Sequence, residues 1–277
     1  MNRAEHWKMI NSRRPPYNPN LFLWLSEGRK QACNYDARWW KFRWIISPGA
    51  GNLIKAKWQG KAIKIESGGK VWLHISNCSN HGAWKQYTIV AWFRTGDDIT
   101  TRQFIYEEGG SVNGLSIYIY DGKVWVGAWI NIGGTTPKYS FLSYPVEPSR
   151  EYVVANVFKG KSKHKLVVNG NIVAERDIDF NMNGHGDACC FGNMQNSTVV
   201  EGGVQNNNSL KYPFKGLLYG LYIWQYALTD AEAKTVARLC KLDNKPACIT
   251  KQGEYELVRN TGIEVDGNMM RCAEAMV

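Results

Sequence analysis

An all-β sandwich followed by one short helix is the fold that this sequence of 277 residues predicts. Three observations carry the expectation. Short apolar runs, rich in aromatic and β-branched residues, recur roughly every 8–15 residues with turn signals between them. Two of those turns are the pairs Asp121-Gly122 and Asn169-Gly170, which tolerate positive φ at both central positions of a tight hairpin. Near the end, "FKGLLYGLYIWQYALTDAEAKTVARL" (Phe214–Leu239) passes from an aromatic strand directly into Thr229-x-x-Glu232. That spacing is a capping box: the Thr hydroxyl serves the third helical amide and the Glu carboxylate reaches back to the cap.

The elements follow in order. Residues 1–20 are polar, basic and carry Pro15, Pro16 and Pro19, so they read as an extended arm. "LFLWL" (Leu21–Leu25) is a short strand, and "DARWWKFRWIISPGAGN" is a Trp-rich connection. "KAIKIES" alternates apolar and charged residues, and "KVWLHI" is a separate strand after Gly68-Gly69. "YTIVAWFRT" (Tyr87–Thr95) places Ile89, Ala91 and Phe93 on one face and Val90, Trp92 and Arg94 on the other. "QFIYEE", the hairpin "LSIYIY-DG-KVWVGAWI", "EYVVANVF", the hairpin "KHKLVV-NG-NIVAERDI", "ACCFGNM" and "GLLYGLYIWQ" complete the strands, with a polar loop at Glu201–Ser209. In the final helix Ala233, Val236, Ala237 and Leu239 fall at helical spacing, with Leu228 before the cap as a staple residue. The pattern is that of a sandwich or jelly roll. It divides the chain into an arm (1–20), a sandwich domain (21–239) and a C-terminal extension (240–277).

Charge is distributed unevenly. Residues 1–70 hold 14 Lys+Arg and 4 Asp+Glu, whereas residues 71–277 hold 20 of each sign, so the first quarter carries the whole excess of +10. A basic segment of this kind is either a solvated arm or a docking element for an acidic surface: a protein assembly, an acidic glycan or nucleic acid. Nucleic acid is disfavoured, because no recognition helix, RNP-like strand or zinc finger accompanies the charge. Arg3, Lys8, Arg13 and Arg14 are the candidate anchoring residues. The N-terminus lacks the apolar core and cleavage site of a secretory signal, and no apolar run reaches the ~18 residues of a membrane span, so no membrane partner is expected. The seven Cys form no C-x-x-C pair and are expected to be mostly reduced and packed, with a Cys240–Cys248 bridge left open.

Four groups of residues raise questions of chemistry. Pairing across Asp121-Gly122 sets Tyr118 opposite Trp125 and Tyr120 opposite Lys123, with Ile117, Ile119, Val124 and Val126 on the other face. Such aromatic pairs stabilise a sheet. They also present rigid area on which a sugar ring or another subunit can stack. Tyr118, Tyr120, Trp125 and Trp129 are therefore the candidate glycan- or partner-binding residues. In "AERDIDF", Glu175, Asp177 and Asp179 alternate along one side of a strand. In "HGDACC", His185, Asp187, Cys189 and Cys190 are metal-ligand types, yet a strand turns Cys189 and Cys190 to opposite faces, so no zinc site is expected. Motifs for serine hydrolases, phosphate loops, dinucleotide sites and zinc peptidases are absent.

Four segments in order resemble the laminin-G-like members of the concanavalin A-like lectin/glucanase jelly rolls: "WQGKAIKIESGGKVWLHI", "YTIVAWFRT", "HKLVVNGNIVAE" and "FKGLLYGLYIWQYALTDAEAKTV". The first departs from the family pattern in a shorter loop without the paired Asp. The likeness covers about residues 21–239 and implies a jelly roll, a fold that hosts lectins, enzymes, adhesion modules and structural proteins. It also implies calcium as a candidate cofactor, through Asp97, Asp98 or Asp121, although these acid-poor loops supply no clear oxygen cluster; no other cofactor is expected. "AERDIDF" resembles the E-x-D-x-E of laminarinase-type hydrolases, but its last carboxylate is one methylene shorter and it directly follows a hairpin. The chain is accordingly expected to be non-catalytic. An ectodomain-type fold without a secretion signal suggests a structural or decoration protein of a virion, a phage capsid or tail, oligomeric in context, contacting other structural proteins and glycans. A carbohydrate-binding adhesion module is the alternative, and a glycoside hydrolase the third reading.

Overall fold

The computed structural model describes residues 85–243, except 132, 134–135, 185–188, 195–196, 204, 207–211 and 225, together with the earlier strands at 21–25, 33–36, 41–43, 53–59 and 62–73. The arm residues Arg3, Lys8, Arg13 and Arg14 and the extension from residue 244 lie outside the described residues, as do His185 and Asp187. The strands are β1 (Leu21–Leu25), β2 (Cys33–Asp36), β3 (Lys41–Arg43), β4 (Leu53–Gln59), β5 (Ala62–Leu73), β6 (Gln86–Arg94), β7 (Gln103–Gly109), β8 (Asn113–Tyr120) and β9 (Lys123–Ile130). They continue as β10 (Lys138–Pro145), β11 (Glu151–Lys159), β12 (Lys163–Val168), β13 (Asn171–Asp177), β14 (Cys189–Phe191), β15 (Thr198–Val199), β16 (Gln205–Asn206) and β17 (Leu217–Trp224), followed by helix α1 (Asp230–Asp243).

Two antiparallel sheets form a sandwich. The front sheet runs β10-β9-β8-β7-β14-β5 and the back sheet β5-β17-β6-β11-β12-β13. Strand β5 belongs to both. Its start pairs with β17 at Ile63 and Lys64, and its end pairs with β14 from Val71 to Leu73. The change of sheet happens at a bulge: Ile65 and Lys70 pair with Ala56 and Ile54 of β4, so residues 66–69 of β5 face Lys55 alone. Gly68-Gly69, expected to separate two strands, instead lies inside one strand that bends. Glycine tolerates the tight bend such a crossing needs.

Alternation along each strand decides the layers. Ile89, Ala91 and Phe93 of β6 point into the core between the sheets, where they meet Ile117, Ile119, Val124 and Val126 of the β8–β9 hairpin. Val90 and Trp92 point outward into a second cluster beneath α1. Both two-residue turns have positive φ at each central residue: 51° and 70° at Asp121-Gly122, 53° and 86° at Asn169-Gly170. The second turn also seats the helix. A Cβ at Gly170 would stand 3.0 Å from Lys234 Cα. The capping box forms as the sequence implies: Thr229 N donates to Glu232 Oε2 at 2.6 Å, and Glu232 N donates to Thr229 Oγ1 at 3.3 Å. Leu228 and Ala233, the staple positions, are buried in the same cluster.

The sheets are also joined by a buried polar chain. His164 of β12 contacts Ser140 Oγ of β10 through Nδ1 at 2.7 Å and Asn156 Oδ1 of β11 through Nε2 at 2.9 Å. Asn156 Nδ2 donates to the carbonyls of Ser116 (3.1 Å) and Gly127 (3.0 Å) in the front sheet. An amide oxygen only accepts, so Nε2 carries the proton and Ser140 donates to Nδ1. Every member has a partner, which is what makes a buried polar link tolerable.

Strands β2, β3, β4 and β10 were not anticipated. β2 ends at the first residue of the Trp-rich connection and β3 lies within it; together they extend the sheet from β1, itself paired with β17. β4 pairs with β5. β10 forms the outer edge of the front sheet, in register with β9 from Lys138↔Ile130 to Pro145↔Lys123.

Candidate functional site

The outer face of the front sheet is paved with rings. Alternation turns Phe104 (β7), Tyr118 and Tyr120 (β8), Trp125 and Trp129 (β9), and Tyr139 and Phe141 (β10) away from the core. A short segment folds back over part of this face. Glu201, in a single 3-10 turn, accepts from Tyr118 Oη at 2.6 Å, and its own amide donates to the same oxygen at 3.0 Å. Arg102 pairs with the Glu201 carboxylate and stacks over the Tyr120 ring at 4.0 Å. Burial, then the Glu201 carboxylate, push the Tyr118 phenol well above its ordinary pKa. Met194 and Val200 pack on Phe104 and Tyr118 beneath this segment.

The four aromatic candidates therefore divide. Tyr118 and Trp129 have no exposed surface. Tyr118 is the anchor of the overlying segment, and Trp129 donates Nε1–H to Gly110 O at 2.8 Å. Neither presents a ring to a ligand, which corrects the expectation for these two. Tyr120 and Trp125 are half-buried and remain accessible. Trp125 is held firmly: its indole lies parallel to Tyr118 (6.2 Å between centroids, 4° between planes), and Nε1 donates to Tyr120 O at 3.2 Å.

The missing part of the surface comes from β10. Ser143 sits directly opposite Trp125, and Phe141 opposite Gly127. A Cβ on Gly127 would stand 2.6 Å from the Phe141 ring, so the glycine is what lets that ring lie across the sheet. Phe141 stacks with Tyr139 at 6.4 Å. The result is a row of half-buried rings, Tyr120, Trp125, Phe141 and Tyr139, with the Ser143 hydroxyl and the Lys123 ammonium at its margin. The signal for β10 was present in "KYSFLSYP", which alternates Tyr139, Phe141 and Ser143 with Ser140 and Leu142 before Pro145.

The other candidate chemistry lies elsewhere. Glu175 and Asp177 are exposed on the edge strand β13, and Asp179 falls beyond its end, so the three do not share one strand face. Lys163 lies 3.4 Å from Glu175 and 3.0 Å from Asp177, and Lys138 lies 2.5 Å from Asp179. Lys138 holds the Asp179 carboxyl below its ordinary pKa. Cys189 and Cys190 are buried and form no disulfide among the described residues, and Cys189 Sγ donates to Glu108 Oε2 at 3.6 Å. Burial, then Glu107, push the Cys190 thiol far above its ordinary value. Asp98 accepts from the amides and hydroxyls of Thr100 and Thr101 and from Lys215 Nζ, which leaves its oxygens engaged within the chain. Asp97 accepts from Ser149, and Asp121 is exposed in its turn. Among the described residues no group of three or more His, Cys, Asp or Glu converges.

The architecture is that of a concanavalin A-like jelly roll. The chain belongs to the concanavalin A-like lectin/glucanases superfamily, whose laminin G type model matches residues 67–234. Solved structures of similar fold include the receptor binding domain of botulinum neurotoxin D (13% identity, TM-score 0.57, 80% of this chain and 53% of that one). The binding domain of Paraclostridial Mosquitocidal Protein 1 is similar at 13% identity and TM-score 0.54, over 79% of this chain and 52% of that one. So is the binding domain of botulinum neurotoxin DC in complex with SialylT (11%, TM-score 0.54, 79% and 51%). The chain spans about half the length of these domains, and at such identities the likeness establishes the fold. A search of curated proteins found no match.

Proposed function

We propose that this chain is a non-catalytic glycan-recognition module that stacks a sugar ring on the outer face of its front sheet. The observation that carries the reading is the half-exposed, rigidly held indole of Trp125 beside Phe141, Tyr120 and Tyr139. Rings immobilised in advance lose little freedom when a ligand docks. The apolar face of a pyranose suits them, and the Ser143 hydroxyl at the margin suits its hydroxyls. The carboxylates that resemble a hydrolase motif are solvated and paired with lysines along an edge strand and its end, whereas glycoside hydrolysis needs two of them facing each other across the bond. A glycan array probed with the full chain should give discrete positives, and Trp125→Ala should weaken them by about tenfold or more. An array blank for the unaltered protein refutes the reading.

The setting we propose is a larger assembly, with a virion as the site of action and other structural proteins as neighbours. Its support is the concentration of the net charge of +10 in residues 1–70, the arm and the first strands of the domain, which suits an acidic partner surface. Sedimentation of the native source should carry the protein in a fast fraction at fixed stoichiometry. Migration near 31.5 kDa alone would end the assembly reading.

A further inference from the structure

We infer that the Trp125 surface selects a sugar ring bearing a carboxylate, a hexuronate, and that Lys123 recognises the carboxylate; the inference rests on the glycan-binding reading above. Lys123 Nζ stands 5.9 Å from the centroid of the Trp125 ring. Its neighbours across the sheet are Tyr120 on β8 and Pro145 on β10, neither of which is a carboxylate. Arg102, which lies over the adjacent Tyr120 ring, is neutralised by Glu201. Among the described residues Lys123 has no carboxylate within 4.0 Å, not even Asp121 two residues away in the turn. A cation left uncompensated beside a fixed stacking ring favours an anionic group on whatever stacks there.

Two features favour a carboxylate attached directly to the ring over a sulfate ester on a longer arm. Ser143, opposite Trp125, is small and leaves room at the edge of the indole for the rim of the stacked sugar. The ammonium lies 5.9 Å from the centre of the Trp125 ring, within reach of a short substituent on a sugar stacked there. Arg102, the other cation of this face, is committed to Glu201 and to the Tyr120 ring, so one anionic group is all the surface is built to take.

The test is an array that pairs every hexuronate oligosaccharide with its neutral hexose counterpart and with a sulfated hexose. The unaltered protein should prefer the hexuronate member of a bound pair by about fivefold, the size of a half-exposed ion pair. Lys123→Gln should bring that ratio close to one, Lys123→Arg should keep it, and raising salt should shrink it. Equal binding of charged and neutral members, or a preference that survives Lys123→Gln, overturns the inference while leaving glycan recognition standing. A preference for sulfated over carboxylated members also overturns it. Absence of binding to every member removes the glycan-binding reading and this inference together.

Discussion

The two outer faces of the sandwich are built from the same kind of sequence and end in different states. On the back sheet, Val90, Trp92, Val153, Ala155, Val157 and Val167 are sealed by Leu228, Ala233, Val236 and Ala237 of the helix and its entry. On the front sheet, Phe104 and Tyr118 are covered by a short segment around Met194 and Val200, and Tyr120, Trp125, Tyr139 and Phe141 stay half-exposed. Both faces come from strands whose outward residues are apolar. What separates them is whether a capped amphipathic helix follows the neighbouring strand. The back face is therefore a layer of the core, and the front face is the one left for a ligand.

The sharpest break in the comparison is to truncate one tryptophan on each side. Trp224→Ala, on the sealed back face and fully buried, should cost about 3–5 kcal/mol in chemical denaturation. Trp125→Ala, on the open front face, should cost roughly 1 kcal/mol while abolishing stacking. Equal losses would mean that the two faces are equally covered.

A second prediction concerns the seam between the sheets. Burial, then Arg176 opposite it on β13, lower the His164 pKa to about 3 from an unfolded value of 6.5. The unfolded chain thus binds a proton that the folded chain refuses between those values. Stability should be constant on this account above pH 6.5 and fall as pH drops towards 3, by about 1.4 kcal/mol per unit within that window. Denaturation midpoints measured at successive pH values test this against a His164→Gln variant, whose slope should be flatter. An unchanged slope would place the acid sensitivity elsewhere.

The smallest effect should come from the helix cap. Thr229→Ala removes the acceptor for the Glu232 amide and should cost about 1 kcal/mol. Hydrogen exchange should then rise in the first turn of α1, with the β8–β9 hairpin unaffected. Faster exchange on both faces would show that the helix supports more than the face it covers.

Much of this was legible in the residues. The split of β6 into Ile89, Ala91 and Phe93 against Val90 and Trp92, the pairing of Tyr118 with Trp125, and the Thr229–Glu232 box all follow from local rules of period and capping. β10 escaped because its outward aromatics are interleaved with serines, which dilute the apolar signal. β5 was cut in two because glycines mark both turns and bends, and only its partners on each side show which. Tyr118 and Trp129 shared the pattern of Trp125, yet they are buried by residues far along the chain: Glu201 for the first, the Gly110 carbonyl for the second.

By itself the sequence determined the strands' faces, the two tight turns, the helix and its start, and membership of a jelly-roll class, because these depend on spacing of a few residues. Only the tertiary structure decided which outward aromatics are covered and which are free. It also decided that Phe141 and Tyr139 join Trp125, and that Lys123 has no carboxylate within 4.0 Å among the described residues, whereas Arg102 is paired with Glu201. Those outcomes depend on contacts between segments distant in the chain, and alternation along one strand holds no record of what will lie above it.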